Sequence, residues 1–306
     1  MPPSPNLRGA LFMIVAMVGF TLNDAITKFS SESMNMAQVM LVRGAFASVF
    51  VGLLAWRRGA LANPVAMLQP MVAMRVAGEA GATVSFLIAL AHLPIGNVSA
   101  VMQALPLAVT MGAALVFGEG VGWRRWTAIA AGFVGVLTIV RPGFEGFSVY
   151  SLMALASVAF CAVRDLSTKR IPEAIPTMLV STATALAMTV LGALLLSPMG
   201  GWTPMTGRAT ALLALAAVLV LIGYQFIIMA MRSGDISFMA PFRYTALLSS
   251  ILLGLIIFRD IPDLPMIAGA GIIIGSGLYA LYRERIVGRR QPAAESAGPD
   301  MAPDGI

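Results

Sequence analysis

Apolar residues run in blocks of about twenty, broken by short stretches of charge, proline or glycine, at 8–27, 36–56, 67–91, 95–117, 123–140, 148–168, 175–197, 209–231, 236–258 and 264–282. A helix needs about 20 apolar residues to cross the hydrocarbon layer of a bilayer, so the pattern predicts an all-α polytopic membrane protein with ten transmembrane helices. The fifth block is the weakest, because Arg124 and Arg125 leave only 126–140 free of charge. Arginines at a helix end can still carry their guanidinium groups back to the interface. The first block starts just after Arg8 and holds Asn23 and Asp24 near its end, so it reads as a true span rather than a cleavable signal segment. Residues 291–306 turn to Pro, Ala, Glu, Ser, Gly and Asp, too polar to offset the entropy of ordering, and a disordered tail is expected there.

Composition narrows the function classes. Of 306 residues, 58% are hydrophobic and 11% charged, roughly half the charge of a soluble domain, which excludes an ordinary water-soluble enzyme. No polar stretch between blocks is long enough to fold as a catalytic or nucleic-acid-binding module. With the N-terminus inside, 12 Lys and Arg residues, among them Arg57, Arg58, Arg124, Arg125, Lys169, Arg170 and Arg232, fall on the cytoplasmic side, against Lys28, Arg141, Arg208 and Arg259 on the other. Both termini are therefore expected in the cytoplasm. The net charge of +6 then reflects inner-face loops near anionic headgroups, so membrane lipid is an expected partner and nucleic acid is not. The single cysteine, Cys161, and single histidine, His92, supply neither a disulfide nor a metal cluster, and no cofactor is implied.

Shifting the chain by 141 positions lays Asp24 on Asp165, Thr27 on Thr168 and Lys28 on Lys169, so that NDAITK is echoed by RDLSTK. The same shift lays Ala89 on Ala230, Ile95 on Ile236, Leu107 on Leu248, Phe117 on Phe258 and Glu119 on Asp260. Each half would hold five spans, an odd number, so the second must enter the membrane in the opposite sense to the first. This is the inverted-repeat plan recurrent in secondary transporters.

The block ALAHLPIGNVSAVMQALPLAVTMGAALVFGEGVGWRRWTAIAAGFVGVLTIVRPG at 89–143 and its weaker partner AMRSGDISFMAPFRYTALLSSILLGLIIFRDIPDLPMIAGAGIIIGSGLYALY at 230–282 carry a resemblance to the EamA-like drug/metabolite transporters. Pro106, Glu119, Gly132 and Gly135 stand at the family's positions in the first block; in the second, Leu247 replaces the proline and Asp260 the glutamate. The resemblance spans roughly 8–285 and implies two inverted five-helix repeats, 8–143 and 148–285, in a multi-pass protein of a bacterial inner membrane. It further implies a central cavity and transport of a small organic solute, such as an amino acid, a nucleotide-like metabolite, a cofactor or a drug. Uptake of a ring-bearing vitamin such as riboflavin and export of amino acids or metabolites both fit. A membrane enzyme and a channel are the competing classes.

Charge inside the spans marks the candidate site. Arg43, Arg75, Arg164 and Arg243 and the acids Asp24, Glu79 and Asp165 would each cost roughly 2.5–3.5 kcal/mol at a lipid-facing helix centre, so they are expected to face a cavity or a partner. Arg43 and Arg243 lie too deep to reach the interface. Arg75 and Glu79 stand one turn apart and can pair on one face. Asn23, Thr83, Gln103, Tyr224, Gln225 and Tyr244 add amide, hydroxyl and aromatic surface. With Arg43, Glu79 and Arg243 they form an expected binding set for an anionic or zwitterionic solute, beside a possible break at Pro241. Asp24 with Lys28 and Asp165 with Lys169 share helical faces at the ends of equivalent spans and are expected as gate elements. Glycines such as Gly132, Gly135, Gly269 and Gly277, and Trp56, Trp123, Trp126 and Trp202, are expected to serve packing and interfacial anchoring.

Overall fold

The computed structural model describes residues 5–118, 121–142, 147–172, 174–233 and 240–287. The expected tail at 291–306 and Glu119 lie outside them. Among the described residues every regular element is helical: α1 (Pro5–Ser31), α2 (Met36–Arg57), a 3₁₀ turn (Pro64–Leu68), α3 (Pro70–His92), α4 (Ile95–Met102), α5 (Leu105–Phe117), α6 (Trp123–Val140), α7 (Val149–Thr168), α8 (Thr177–Leu196) and α9 (Gly207–Ser233). A 3₁₀ turn (Ala240–Tyr244) leads into α10 (Thr245–Leu253), a π turn (Gly254–Phe258) and α11 (Leu264–Val287).

Among the described residues, eight segments are long and apolar enough to cross a membrane, and α11 adds a shorter apolar stretch at Leu264–Ala280. The fifth block forms α6, 18 residues carrying Arg124 and Arg125 in its first turn, and does not reach the same standard. The fold is thus an all-α polytopic one with eight to ten long helices. Two expectations about element limits change. The first span runs on to Ser31, which takes Lys28 into the last turn of α1. The fourth block breaks at Gln103–Ala104, where Pro106 lacks the N–H that would continue the ladder. The described part of the ninth block opens with the 3₁₀ turn and closes with the π turn.

Polar side chains fix the helix starts. Asn35 accepts from the Gln38 amide at 2.9 Å, Gln69 accepts from Met71 and Val72, and Ser148 accepts from Tyr150. Each satisfies a donor that has no partner inside its own helix. Gln38 is fully buried and clamps the loop before α9, donating to the Thr203 carbonyl at 2.7 Å and accepting from its amide at 2.9 Å.

The helices pack in a regular set of pairs: α1 on α9, α2 on α8, α3 on α7, α6 on α11, and α4 on α10. Gly135 and Gly269 face one another across the α6–α11 seam, where a Cβ on either would meet the other's carbonyl oxygen at 2.8 Å or closer. Exposed Val49, Leu115, Val190, Leu194, Leu248 and Ile256 give the outside an apolar surface, while Asn23, Thr27, Arg75, Arg164 and Asp165 are buried. Charge inside and aliphatic residues outside is the arrangement a lipid solvent selects.

Candidate functional site

The buried charges form one continuous network rather than separate local pairs. On α1, Asn23 donates through Nδ2 to Asp24 Oδ1 at 3.0 Å. From α2, Arg43 donates through Nη1 to Asn23 Oδ1 at 3.2 Å and to Thr27 Oγ1 at 3.5 Å, within electrostatic reach of Asp24 and of Glu79 on α3. From α7, Arg164 donates through Nη1 to Glu79 Oε2 at 3.0 Å and through Nε to Asp165 Oδ1 at 2.7 Å. Asp165 in turn feels the charge of Arg243 from the ninth span. Asp24, Arg43, Glu79, Arg164, Asp165 and Arg243 thus alternate in sign from one half of the chain to the other.

Close backbone approach makes this possible. A Cβ on Gly78 would lie 2.9 Å from the Arg164 backbone nitrogen, so only glycine lets α7 come near enough for Arg164 to reach the neighbouring Glu79. Arg75 and Glu79, expected to pair on one face, are within electrostatic reach of each other, and each makes a hydrogen bond elsewhere. Arg75 Nη1 donates to Thr184 Oγ1 on α8 at 2.6 Å, and the hydrogen bond to Glu79 comes from Arg164, 85 positions away. Helix crossing delivers the Arg164 guanidinium directly to Glu79.

The other expected residues divide. Thr83 is half-buried one turn beyond Glu79 on α3. Gln103 sits at the break between α4 and α5, and its Nε2 is buried with no hydrogen-bond partner among the described residues. Tyr244 is half-buried beside Arg243, with its hydroxyl pressed against Gly277 of α11. Tyr224 packs edge-on against Phe20 with ring centroids 5.2 Å apart, on the α1-facing side of α9. Gln225 is on the opposite side, exposed in line with Leu215, Val218 and Ile222, and is not brought into the network. Its neighbour in sequence points about 100° away around the helix, which periodicity could have shown.

The expected Asp–Lys pairs also separate. Asp24 and Asp165 face the network, whereas Lys28 donates to the Leu90 and Leu93 carbonyl oxygens at the end of α3. Lys169 stands exposed after α7, over the Phe117 ring. Two contributors lay outside the expected binding set: Arg164, visible in the sequence as a charge within a span, and Thr27, whose repeat partner Thr168 was the only signal. Among the described residues no group of His, Cys, Asp and Glu side chains could hold a metal.

Residues 7–141 match the model of the EamA-like transporter family. Over its length the chain is 28% identical to a riboflavin transporter of Rhizobium johnstonii, covering 95% of this chain and 96% of that one. It is 25% identical to the pseudopaline exporter of Pseudomonas aeruginosa, over 90% and 96% of the two chains. It is 26% identical to an S-adenosylmethionine uptake transporter of Rickettsia prowazekii, over 91% and 94%. A solved crystal structure shares the fold with a TM-score of 0.63 over 92% of this chain and 99% of the other, at 19% identity. By name these relatives are transporters and an exporter, and none is an enzyme. The first half of the chain is thus similar to the EamA-like transporters, and the whole chain shares a polytopic helical fold with a solved structure.

Proposed function

We propose that the protein is a secondary transporter that moves a small organic solute bearing an anionic or zwitterionic group across a bacterial inner membrane by alternating access, with both termini cytoplasmic. One observation carries the solute class: among the described residues, Arg43 is hydrogen-bonded only by the neutral Asn23 and Thr27, and neither Arg43 nor Arg243 is in an ion pair. Arg164 already holds Glu79 and Asp165. Arg43 and Arg243 keep donors to offer, and guanidinium is the side chain best shaped to hold a carboxylate or phosphate.

Helix packing supports two related halves of five spans each. Exchanging each span with the one five later turns the α1–α9 pair into the α7–α3 pair and returns α2–α8, α6–α11 and α4–α10 to themselves, which is what a pseudo-two-fold axis requires. The relatives' names include a riboflavin transporter, an S-adenosylmethionine uptake transporter and a pseudopaline exporter, so related chains serve both directions. A ring-bearing vitamin such as riboflavin is the second reading, favoured by Tyr244 beside Arg243.

The test is a thermal-shift screen of detergent-purified protein against amino acids, nucleotides, vitamins and organic acids, followed by transport of the hit into vesicles. Arg43→Ala and Arg243→Ala are each expected to weaken a selective shift by about tenfold or more in concentration, the effect of losing a charge-assisted hydrogen bond. A selective shift kept by both variants would remove the two arginines from recognition.

A further inference from the structure

The 141-position repeat lays Lys28 on Lys169 and Phe117 on Phe258, but it does not say which groups meet. In the fold each lysine sits over the phenylalanine of the other half. Lys28 Nζ is 5.4 Å from the centroid of the Phe258 ring, and Lys169 Nζ is 5.4 Å from that of Phe117. Both distances lie within the ~6 Å over which a ring face attracts a cation. The local settings match as well. Each lysine stands at the end of the first helix of its half, α1 or α7, and each phenylalanine ends one of the two interrupted spans. Directly after each ring the backbone turns left-handed, at Gly118 with φ 66° and at Arg259 with φ 58°.

The surroundings differ in two respects. Lys28 Nζ also donates to the carbonyl oxygens of Leu90 at 2.9 Å and Leu93 at 2.5 Å, tying α1 to the exposed end of α3, with Asp260 close enough to act on its charge. Such a cation satisfies carbonyls that the helix end leaves open. At the other contact Arg170 also lies over Phe117, 4.2 Å from its centroid.

We propose that Lys28–Phe258 and Lys169–Phe117 are equivalent latches, one at each mouth of the transport path, and that passage between access states breaks one while the other stays made. The inference rests on the alternating-access reading above. Both contacts join a first helix of one half to the interrupted span of the other, so neither mouth can widen between those elements without parting a lysine from a ring. A cation over a ring has no fixed direction, and a helix-end lysine that leaves it returns to water or headgroups rather than stranding a buried donor. The two mouths thus share one kind of cation–ring contact, and the carbonyls and Asp260 at Lys28 and Arg170 at Phe117 set how tightly each is held. With both latches made, the structure corresponds to a state closed at both mouths.

A Cys161→Ser background leaves the chain without cysteine, and Thr83→Cys then reports from beside Glu79. Labelling by a membrane-impermeant maleimide is compared in right-side-out and inside-out vesicles. Phe258→Leu is expected to raise labelling from one face by about three- to tenfold, and Phe117→Leu from the opposite face, the range given by loss of a cation–π contact. Phe258→Trp and Phe117→Trp are expected to keep the parent ratio. Lys28→Gln, and Lys169→Gln combined with Arg170→Gln because Arg170 also covers the Phe117 ring, remove the cations and spare the rings; they are expected to follow the respective leucine variants and serve if those fail to fold. Shifts toward the same face, or unchanged ratios in well-folded leucine and glutamine variants, overturn the latches. Labelling needs no solute, so opposite shifts in a protein that transports nothing would sink the transport reading alone, and transport without shifts would sink the latches alone.

Discussion

Arg164 is the residue on which the buried network depends. Its side chain is only 8% exposed, and it is the hydrogen-bonding cation for both Glu79 and Asp165. Replacing it with methionine keeps the volume and strands two carboxylates in a medium that cannot hydrate them, so Arg164→Met is expected to cost about 3–5 kcal/mol, read as a fall in melting temperature in detergent. Adding Glu79→Gln and Asp165→Asn is expected to recover most of that loss, because the penalty lies in the unpaired charges. Gly277 matters in another way. A Cβ there would collide with the Tyr244 hydroxyl, so Gly277→Ala is expected to turn that phenol aside and weaken solute binding by about tenfold, roughly the worth of one good hydrogen bond. Gly275, where an added Cβ meets nothing within 4 Å, is the matched control in the same binding titration.

At the scale of elements, the α6–α11 pair joins the two halves through a close backbone seam and a charged tether. Beyond the Gly135–Gly269 seam, Arg141 caps the end of α6 in the left-handed region and donates through Nη2 to Asp263, whose other oxygen accepts from the Met266 amide at 2.9 Å at the start of α11. Partial burial acts to raise the Asp263 carboxyl, but the hydrogen bonds from Arg141 and Met266 outweigh it and hold the group below the usual carboxylate range. A carboxyl lowered in the folded state stabilises fully above its unfolded value and loses that contribution as pH falls through the folded one. The tether is therefore expected to weaken below about pH 4, by less than about 1 kcal/mol since Asp263 is half exposed. Melting temperature followed from pH 6 to 3 in parent and Asp263→Asn checks this: the gap between them should close on the acid side.

At the scale of the whole molecule, opposed insertion of the two halves can be measured directly. Ala62 follows the second span and Ser197 ends the seventh, its counterpart five spans later, and both are exposed. In the cysteine-free background, Ala62→Cys and Ser197→Cys are expected to react with an impermeant maleimide from opposite faces of the membrane. Labelling of both from one face would contradict the inverted arrangement.

The helical class, most span limits and the identity of the intramembrane charges were legible in the sequence, because lipid imposes a length and a polarity on every crossing segment regardless of its neighbours. Inside those spans the sequence offered only local pairings: Arg75 with Glu79, Asp24 with Lys28, Asp165 with Lys169. The tertiary structure chose others, giving Glu79 to Arg164 and each lysine to the other half's phenylalanine. The physical reason is that a helix fixes which residues share a face, whereas the partner of a buried charge is set by which helices cross and how closely their backbones approach. Gly78 against the backbone of Arg164 decides that approach, and nothing within four residues of either announces it.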